Sequence, residues 1–266
     1  MPVNTIGSFT LVKNEIAWIV PHILRVLPHL DQMVFFDGNS TDGTLEAIRA
    51  IAADHPHGGK INLVEGKDPI NLRDAYVEMF NECLWSLKTD WAIFLHPDMY
   101  VKNPEQFAQV KNSDSIALYT RMESYGGEPG GQLYRIDEGR SGVWKNIYRL
   151  RKPNLGAHYH GWYGAGNEDV YFRHITGNLY QHFGHDVDRY PYSVEDSGLE
   201  VMHFSDVRPL ERRLGRMRTC LINQGHSLEA AERIAADHPR VTFKDGKGFK
   251  FVPAEYPAEF KEAARV

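Results

Sequence analysis

The chain has 266 residues, of which 42% are hydrophobic, 12% aromatic and 24% charged, a globular composition with enough length to bury a substantial core. Its 30 Lys and Arg residues and 35 Asp and Glu residues give a net charge of -5, which disfavours a protein that coats DNA through its overall charge. The two cysteines, Cys83 and Cys220, form no CxxC pair, which excludes a disulfide framework and a cysteine zinc site as organising features.

The start of the chain has no basic segment followed by a long apolar run, and nowhere do about eighteen apolar residues stand together. Neither a signal peptide nor a membrane span is therefore predicted. Together with the low cysteine content, this predicts a cytoplasmic protein.

Strand-like and helix-like patterns alternate over the first hundred residues. The predicted strands are the apolar runs at 8–12, 33–36, 61–64 and 91–95. The predicted helices, from apolar residues at helical spacing, are 16–27, 45–52 and 72–87. This order predicts an α/β fold whose central sheet is mainly parallel and flanked by helices, with ligands bound at the carboxyl ends of the strands.

The second half of the chain has a different pattern. Strand-like runs joined by Gly-rich connections begin at about residue 115, residues 151–192 are crowded with His, Tyr, Gly and Trp without a clear period, and helical patterns follow. We predict a main domain at 1–207, with halves at 1–110 and 111–207, and a helical C-terminal extension at 208–266. Ten Lys or Arg against five Asp or Glu at 208–250 make this extension suited to an anionic partner.

Three motifs follow the predicted strands: LVKNEIAWI at 11–19, VFFDGNSTDGT at 34–44 and WAIFLHPDMYV at 91–101. Their order and spacing resemble family 2 glycosyltransferases with the GT-A fold, in which a K-N-E triplet, an Asp before S-T-D-G-T and a D-x-D-like motif hold a nucleotide sugar. The resemblance covers residues 8–100. It implies a metal-dependent inverting transfer of a sugar from UDP-sugar, or another nucleoside diphosphate sugar, to an acceptor hydroxyl.

The donor site begins with Asp37, whose carboxylate can accept a hydrogen bond from the uracil N–H. Alternatively, Asp37 and Asp42 both cap the following helix. Further donor-binding candidates follow the predicted strands, and Arg73 stands at the start of the predicted helix 72–87. Lys13 and Arg73 can equally be plain surface charges. These further candidates are Lys13, Asn14, Glu15, Arg73 and His96.

His96-Pro97-Asp98 stands where the family has D-x-D. Asp98 matches the last acid, which in the family binds the metal, so Mn2+ or Mg2+ is the implied cofactor. His203, in LEVMHFSDVRPLERR, matches a late histidine ligand, and a nitrogen ligand favours manganese. The alternatives are a simple strand-ending turn with His96 packed inside, and a core or capping role for His203.

An inverting transfer needs a base that removes the proton of the acceptor hydroxyl. The family places an acid near the start of a late helix, and GAGNEDVYFRHI indicates Asp169, with Glu168 as the other candidate. Both can instead be solvated acids at a helix start. His158 and His160 form a rival pair that could bind metal or transfer protons.

Other residues are candidates for binding the acceptor: His160, Trp162, Tyr163, Arg212 and Arg216. Aromatic rings stack on sugars and bases, and Arg212 and Arg216 share a helix face that suits a phosphate. The resemblance implies a glycan or a lipopolysaccharide-type sugar as the acceptor, and a modified base in DNA is the alternative. Two other functions compete with glycosyl transfer. One is a catalytically silent sugar-nucleotide-binding module, favoured by the altered D-x-D, and the other is a nucleotidyltransferase, disfavoured because no Gly/Arg/Lys-rich phosphate loop follows the first strand.

Overall fold

The computed structural model describes most of the predicted nucleotide half and the C-terminal part of the chain. The described residues are 4–66, 82–83, 86–115, 117–137, 143–149, 155–159, 170–174, 180–182, 194–223, 225–243, 245 and 249–263. Most of the predicted helix at 72–87 lies outside them, as does the segment 160–169.

The regular elements follow the predicted order of the chain. The strands are β1 (Ile6–Val12), β2 (Gln32–Asp37), β3 (Ile61–Glu65), β4 (Trp91–Phe94), β5 (Met99–Val101), β6 (Ala117–Gly127), β7 (Leu133–Asp137), β8 (Val143–Arg149), β9 (Leu155–Tyr159), β10 (Val170–His174), β11 (Tyr180–His182), β12 (Val194–Val207) and β13 (Lys250–Ala254). The helices are α1 (Ile16–Val26), α2 (Thr44–Asp54), α3 (Phe107–Asn112), α4 (Leu210–Asn223), α5 (Leu228–Ala236), α6 (Pro239–Thr242) and α7 (Ala258–Ala263). Short 3-10 turns lie at Leu27–His29, Gly58–Lys60 and Pro104–Gln106. Among the described residues, no helix is long and apolar enough to cross a membrane.

The first half of the chain forms the parallel part of a ten-stranded sheet. Strand β1 lies between β2 and β4 and runs parallel to both, and β3 runs parallel to β2 at the edge. All six residues of β2 are buried, as expected of a strand covered on both faces. The predicted α/β class, with a parallel central sheet flanked by helices, is confirmed. The carboxyl ends of β1, β2 and β4 therefore meet at one edge, where ligands bind in such sheets.

The second half extends the sheet with mostly antiparallel strands. Strand β8 pairs with β4 and β6, and β7 continues from β6 to β13, all antiparallel. The long strand β12 runs parallel to β6 and antiparallel to β5. In this register His203 of β12 lies opposite Met99 of β5, just after the HPD motif. A separate three-stranded sheet contains β9, β10 and β11.

The C-terminal segment packs closely onto the rest of the fold. Phe260 of α7 is 0% exposed, and its ring lies 5.6 Å from that of Trp18 in α1. The Trp18 ring stacks on Phe204 of β12, with centroids 5.5 Å apart and planes at 4°. Residues 208–266 thus contain helices, as predicted, together with one strand, β13, that the sequence pattern did not indicate.

Replacing Phe260 by alanine should destabilise the whole protein by about 3–5 kcal/mol, because a fully buried ring leaves a cavity in this aromatic cluster. Urea unfolding followed by tryptophan fluorescence would measure the loss. Leu228→Ala is the matched control, since Leu228 is 58% exposed and should cost little. Equal effects of the two substitutions would mean that α7 contributes nothing to the core.

Candidate functional site

A cavity of about 390 Å³ lies at the carboxyl ends of β1 and β4. It brings together residues from the segment after β1, from the HPD motif, from β12 and from the start of α4. The lining residues are Leu11, Lys13, Asn14, Glu15, His96, Pro97, Asp98, His203, Arg208, Arg212 and Arg216. Eight of these are candidates from the sequence, and Arg212 and Arg216, which the sequence predicts to bind the acceptor, lie here beside the donor candidates.

Arg208 occupies the centre of the polar contacts. Its Nη2 donates to Asp98 Oδ2 at 3.0 Å and to Glu15 Oε1 at 3.2 Å, and its Nε donates to the carbonyl oxygen of Ser205 at 3.1 Å. Asp98 is only 3% exposed. The guanidinium therefore bridges two largely buried carboxylates, one after β1 and one after β4.

The two carboxyl groups have opposite pKa shifts. Burial, with some help from the charge on Asp98, raises the pKa of Glu15 to about 7 against the opposing effect of Arg208. Burial also acts to raise the pKa of Asp98, but His203 and Arg208 hold it well below its ordinary value. Asp98 is thus charged at neutral pH, whereas Glu15 changes protonation there. Among the described residues, Glu15 Oε2 is buried and has no hydrogen-bond partner.

Two histidine rings stack beside this ion pair. The rings of His96 and His203 lie 5.7 Å apart with planes at 7°, and His203 Nε2 is 3.4 Å from Asp98 Oδ1. Burial lowers the pKa of His96 to about 3, so its imidazole is neutral at physiological pH. The residue in place of the first acid of D-x-D therefore contributes no charge to the cavity.

The loops after β1 and β2 hold each other in place. Asn14 adopts a left-handed backbone conformation, with φ of 56°, which asparagine tolerates better than most residues. Its Oδ1 accepts a hydrogen bond from Thr41 N–H at 2.8 Å, and its own N–H donates to Ser40 Oγ at 3.0 Å. These two hydrogen bonds hold the segment from Lys13 to Glu15 against the loop that follows β2.

Asp37 and Asp42 differ in their contacts. Asp42 accepts hydrogen bonds from Ile16 N–H at 3.1 Å and Thr44 N–H at 3.0 Å, the first residues of α1 and α2, so its role is to hold the two helix starts together. Asp37 is 2% exposed, and its Oδ2 accepts from Ser40 N–H at 2.9 Å. Its Oδ1 is buried without a hydrogen-bond partner among the described residues, and Asp37 is not among the residues that line the cavity.

A divalent cation does not fit the described residues as they stand. Asp98 Oδ1 and His203 Nε2 could approach one ion, but Asp98 Oδ2 and Glu15 Oε1 are both hydrogen-bonded to Arg208. Within the described part of the chain, no group of three or more His, Cys, Asp or Glu side chains is placed to hold a metal. The assignment of Asp98 and His203 as metal ligands stays a prediction.

Other candidates lie outside the described residues: Arg73, His160, Trp162, Tyr163, Glu168 and Asp169. Sequence reasoning also missed Arg208. No local pattern marked it, because Arg208 lies before α4 begins at Leu210 and its partners Glu15 and Asp98 are distant in sequence.

No protein-family model and no curated protein matches the chain. Similar solved structures include a mannosyltransferase from Pyrobaculum calidifontis in complex with GDP-Man and Mn2+, with 21% identity over 45% of this chain and 35% of that chain and a TM-score of 0.36. A glucosyl-3-phosphoglycerate synthase from Mycobacterium tuberculosis, in complex with Mn2+, UDP and phosphoglyceric acid, has 23% identity over 47% and 44% and a TM-score of 0.33. A nucleotidyl transferase from Methanothermobacter thermautotrophicus has 11% identity over 54% and 70% and a TM-score of 0.31.

The chain spans less than half the length of both glycosyltransferases. These are the class of protein that the sequence motifs resemble. With TM-scores from 0.31 to 0.36, however, the matches do not assign the chain to a family or an activity.

The pKa of Glu15 gives a pH dependence of stability whose sign is opposite to that of most acids. Because burial raises its pKa from 4.5 to about 7, the folded state binds the proton more tightly, and the unfolding free energy should fall as pH rises from 4.5 through 7. Glu15→Gln should remove this fall, which is ~3 kcal/mol at most. Urea unfolding at pH 5, 6, 7 and 8 would measure it.

The pH dependence that Asp98 contributes to stability does not interfere with this measurement. Its lowered pKa contributes stability that is lost only as pH falls below the ordinary aspartate range. The control is Glu46→Gln, which makes the same change at an exposed position of helix α2. A pH profile of Glu15→Gln parallel to that of the wild type would contradict the assigned pKa.

Proposed function

We propose that this protein transfers a sugar from a nucleoside diphosphate sugar, with UDP as the first candidate nucleotide, to an acceptor hydroxyl with inversion. The observation that carries the proposal is the cavity at the ends of β1 and β4, which the K-N-E and HPD motifs line together with the arginine side chains of α4. Such a strand-end position suits a nucleotide ligand.

The charge of the cavity supports a diphosphate ligand. Its lining includes four basic side chains, Lys13, Arg208, Arg212 and Arg216, against two acidic ones, Glu15 and Asp98. Guanidinium groups bind phosphate oxygens in a bidentate manner. They would also stabilise the charge that develops on the leaving diphosphate as the glycosidic bond breaks.

The uracil ring is assigned to Asp37. A buried carboxylate oxygen without a partner is costly unless a ligand supplies a donor, and Asp37 Oδ1 is in that state among the described residues. The N–H of a uracil ring is such a donor. Lys13 and Glu15, held by the Asn14 loop, would then lie on the diphosphate side of the nucleoside.

For the base and for three of the acceptor contacts, we keep the residues that the sequence predicts. We propose Asp169 as the base, with Glu168 as the second candidate, and His160, Trp162 and Tyr163 as acceptor contacts. The acceptor is a hydroxyl of a glycan or lipopolysaccharide-type sugar, and a modified base in DNA provides the same chemistry. Arg212 and Arg216 are reassigned to the donor diphosphate because they line its cavity.

The direct test is turnover of a panel of UDP- and GDP-sugars by the full chain, followed by nucleotide release and by mass spectrometry of added glycan acceptors. Slow hydrolysis of at least one donor, with inversion at the anomeric carbon, is expected. Tight nucleotide binding without hydrolysis or transfer would favour a catalytically silent binding module. Release of pyrophosphate from a nucleoside triphosphate would favour a nucleotidyltransferase.

Asp37→Ala should raise the KM for the donor by about tenfold or more while changing kcat at saturating donor much less, because a contact with the base is made equally in the ground and transition states. Steady-state kinetics of donor hydrolysis would separate the two constants. Asp42→Ala is the control and should lower thermal stability by about 1 kcal/mol without changing KM. A fall in stability with an unchanged KM in Asp37→Ala would make Asp37 a structural residue.

Asp169→Asn should lower kcat for transfer by about 10²–10⁴-fold, because the acceptor hydroxyl would then lose its proton to water. The variant should still bind UDP as the wild type does, which calorimetry would check. Glu168→Gln, made separately, should remain close to normal. If both variants retain full transfer activity, the base lies elsewhere, and His160 is the next residue to change.

A further inference from the structure

We infer that Arg208 supplies the positive charge that a divalent cation would otherwise place beside the diphosphate, so that the cavity binds a nucleoside diphosphate without metal. This inference rests on the proposed function, because it takes the ligand to be the diphosphate of a nucleotide sugar. It departs from the metal dependence that the sequence motifs imply.

The first argument is the position of the guanidinium. A cation bound by Asp98 would need its carboxylate oxygens, and Oδ2 already accepts a hydrogen bond from Arg208 Nη2 at 3.0 Å. The same nitrogen reaches Glu15 Oε1 at 3.2 Å. A metal held by both oxygens of Asp98, or by Asp98 and Glu15 Oε1 together, would have to displace these buried, charge-assisted contacts, and separating such a buried pair is costly.

The second argument is the charge of the lining. Four basic side chains against two acidic ones repel a divalent cation and attract a diphosphate. In a site that binds a divalent cation, acidic side chains outnumber basic ones. Here the first acid of the D-x-D pattern is replaced by His96, whose stacking on the His203 ring places two imidazoles where further carboxylates would be expected.

The third argument is the preorganisation of two guanidinium groups. The carbonyl oxygen of Ser205 accepts hydrogen bonds from Arg208 Nε at 3.1 Å and from Arg216 Nη1 at 2.8 Å. One backbone oxygen, on a buried residue of β12, therefore holds both groups side by side at the cavity. Two adjacent guanidiniums match the two phosphates of a nucleoside diphosphate, and holding them in advance lowers the entropy cost of binding.

In this arrangement Asp98 acts as a positioning residue. Its carboxylate accepts from Nη2 of Arg208, while the carbonyl oxygen of Ser205 accepts from Nε. Among the described residues, Arg208 Nη1 donates no hydrogen bond, so it is the nitrogen left for a phosphate oxygen. Arg212, in the first turn of α4, lines the same cavity.

The test is calorimetric titration of UDP, and of GDP in a parallel series, into the full-length protein in excess EDTA and again with Mn2+. The Kd values in the two conditions should agree within about threefold. Arg208→Gln should weaken binding in EDTA by about tenfold or more, because it removes a charged phosphate contact. Arg218→Gln, in α4, is the control, since Arg218 pairs with Glu232 and its replacement should leave Kd unchanged.

The wild-type comparison does not depend on whether Arg208→Gln folds, and Arg208→Lys offers a milder second variant, expected to bind with intermediate affinity. Nucleotide binding that appears only with Mn2+ would overturn this inference and leave the proposed function intact. Unchanged metal-free binding by folded Arg208→Gln would also overturn it. The absence of UDP and GDP binding in both conditions would overturn the proposed function, and with it this inference.

Discussion

The contact of Arg208 with Asp98 and Glu15 determines how the parts of this site fit together. The two acids follow different strands of the parallel sheet, and Arg208 lies between β12 and α4, 110 and 193 residues away along the chain. A buried charge must be matched, and removal of one partner of such a pair typically costs about 3–5 kcal/mol. The ends of β1, β4 and β12 are therefore fixed relative to one another by electrostatics as much as by the sheet.

Strand β12 connects this electrostatic cluster to the hydrophobic core. Successive side chains of a strand point to opposite faces. Phe204 packs against Trp18 and Phe260, whereas His203 faces the cavity, and Phe204 N–H donates to the carbonyl oxygen of Asp98 at 2.8 Å. Packing of α1 and α7 around Phe204 thus sets the position of the residues that contact the ligand cavity.

Local sequence signals predicted the parallel half of the fold because each element carries its own pattern. The apolar run at 33–36 became β2, and the helical pattern at 45–52 became α2, each extended by one or two residues. Strand β13 was missed because it lies at a sheet edge, has mostly exposed side chains and contains Pro253. The role of Arg208 was missed for another reason, since its partners are distant in sequence and only the fold brings them together.

The replacement of the first acid of D-x-D by His96 and the presence of Arg208 in the cavity have one explanation. A neutral His96 removes a negative charge from the cavity, and Arg208 adds a positive one, so both departures change the charge in the same direction. Glu15 follows the same rule, because burial raises its pKa to about 7 and keeps part of its population neutral. Asp98 then remains as the one fully charged acid in the lining. That single charge suffices to orient a guanidinium, whereas a divalent cation calls for several anionic or neutral oxygen ligands.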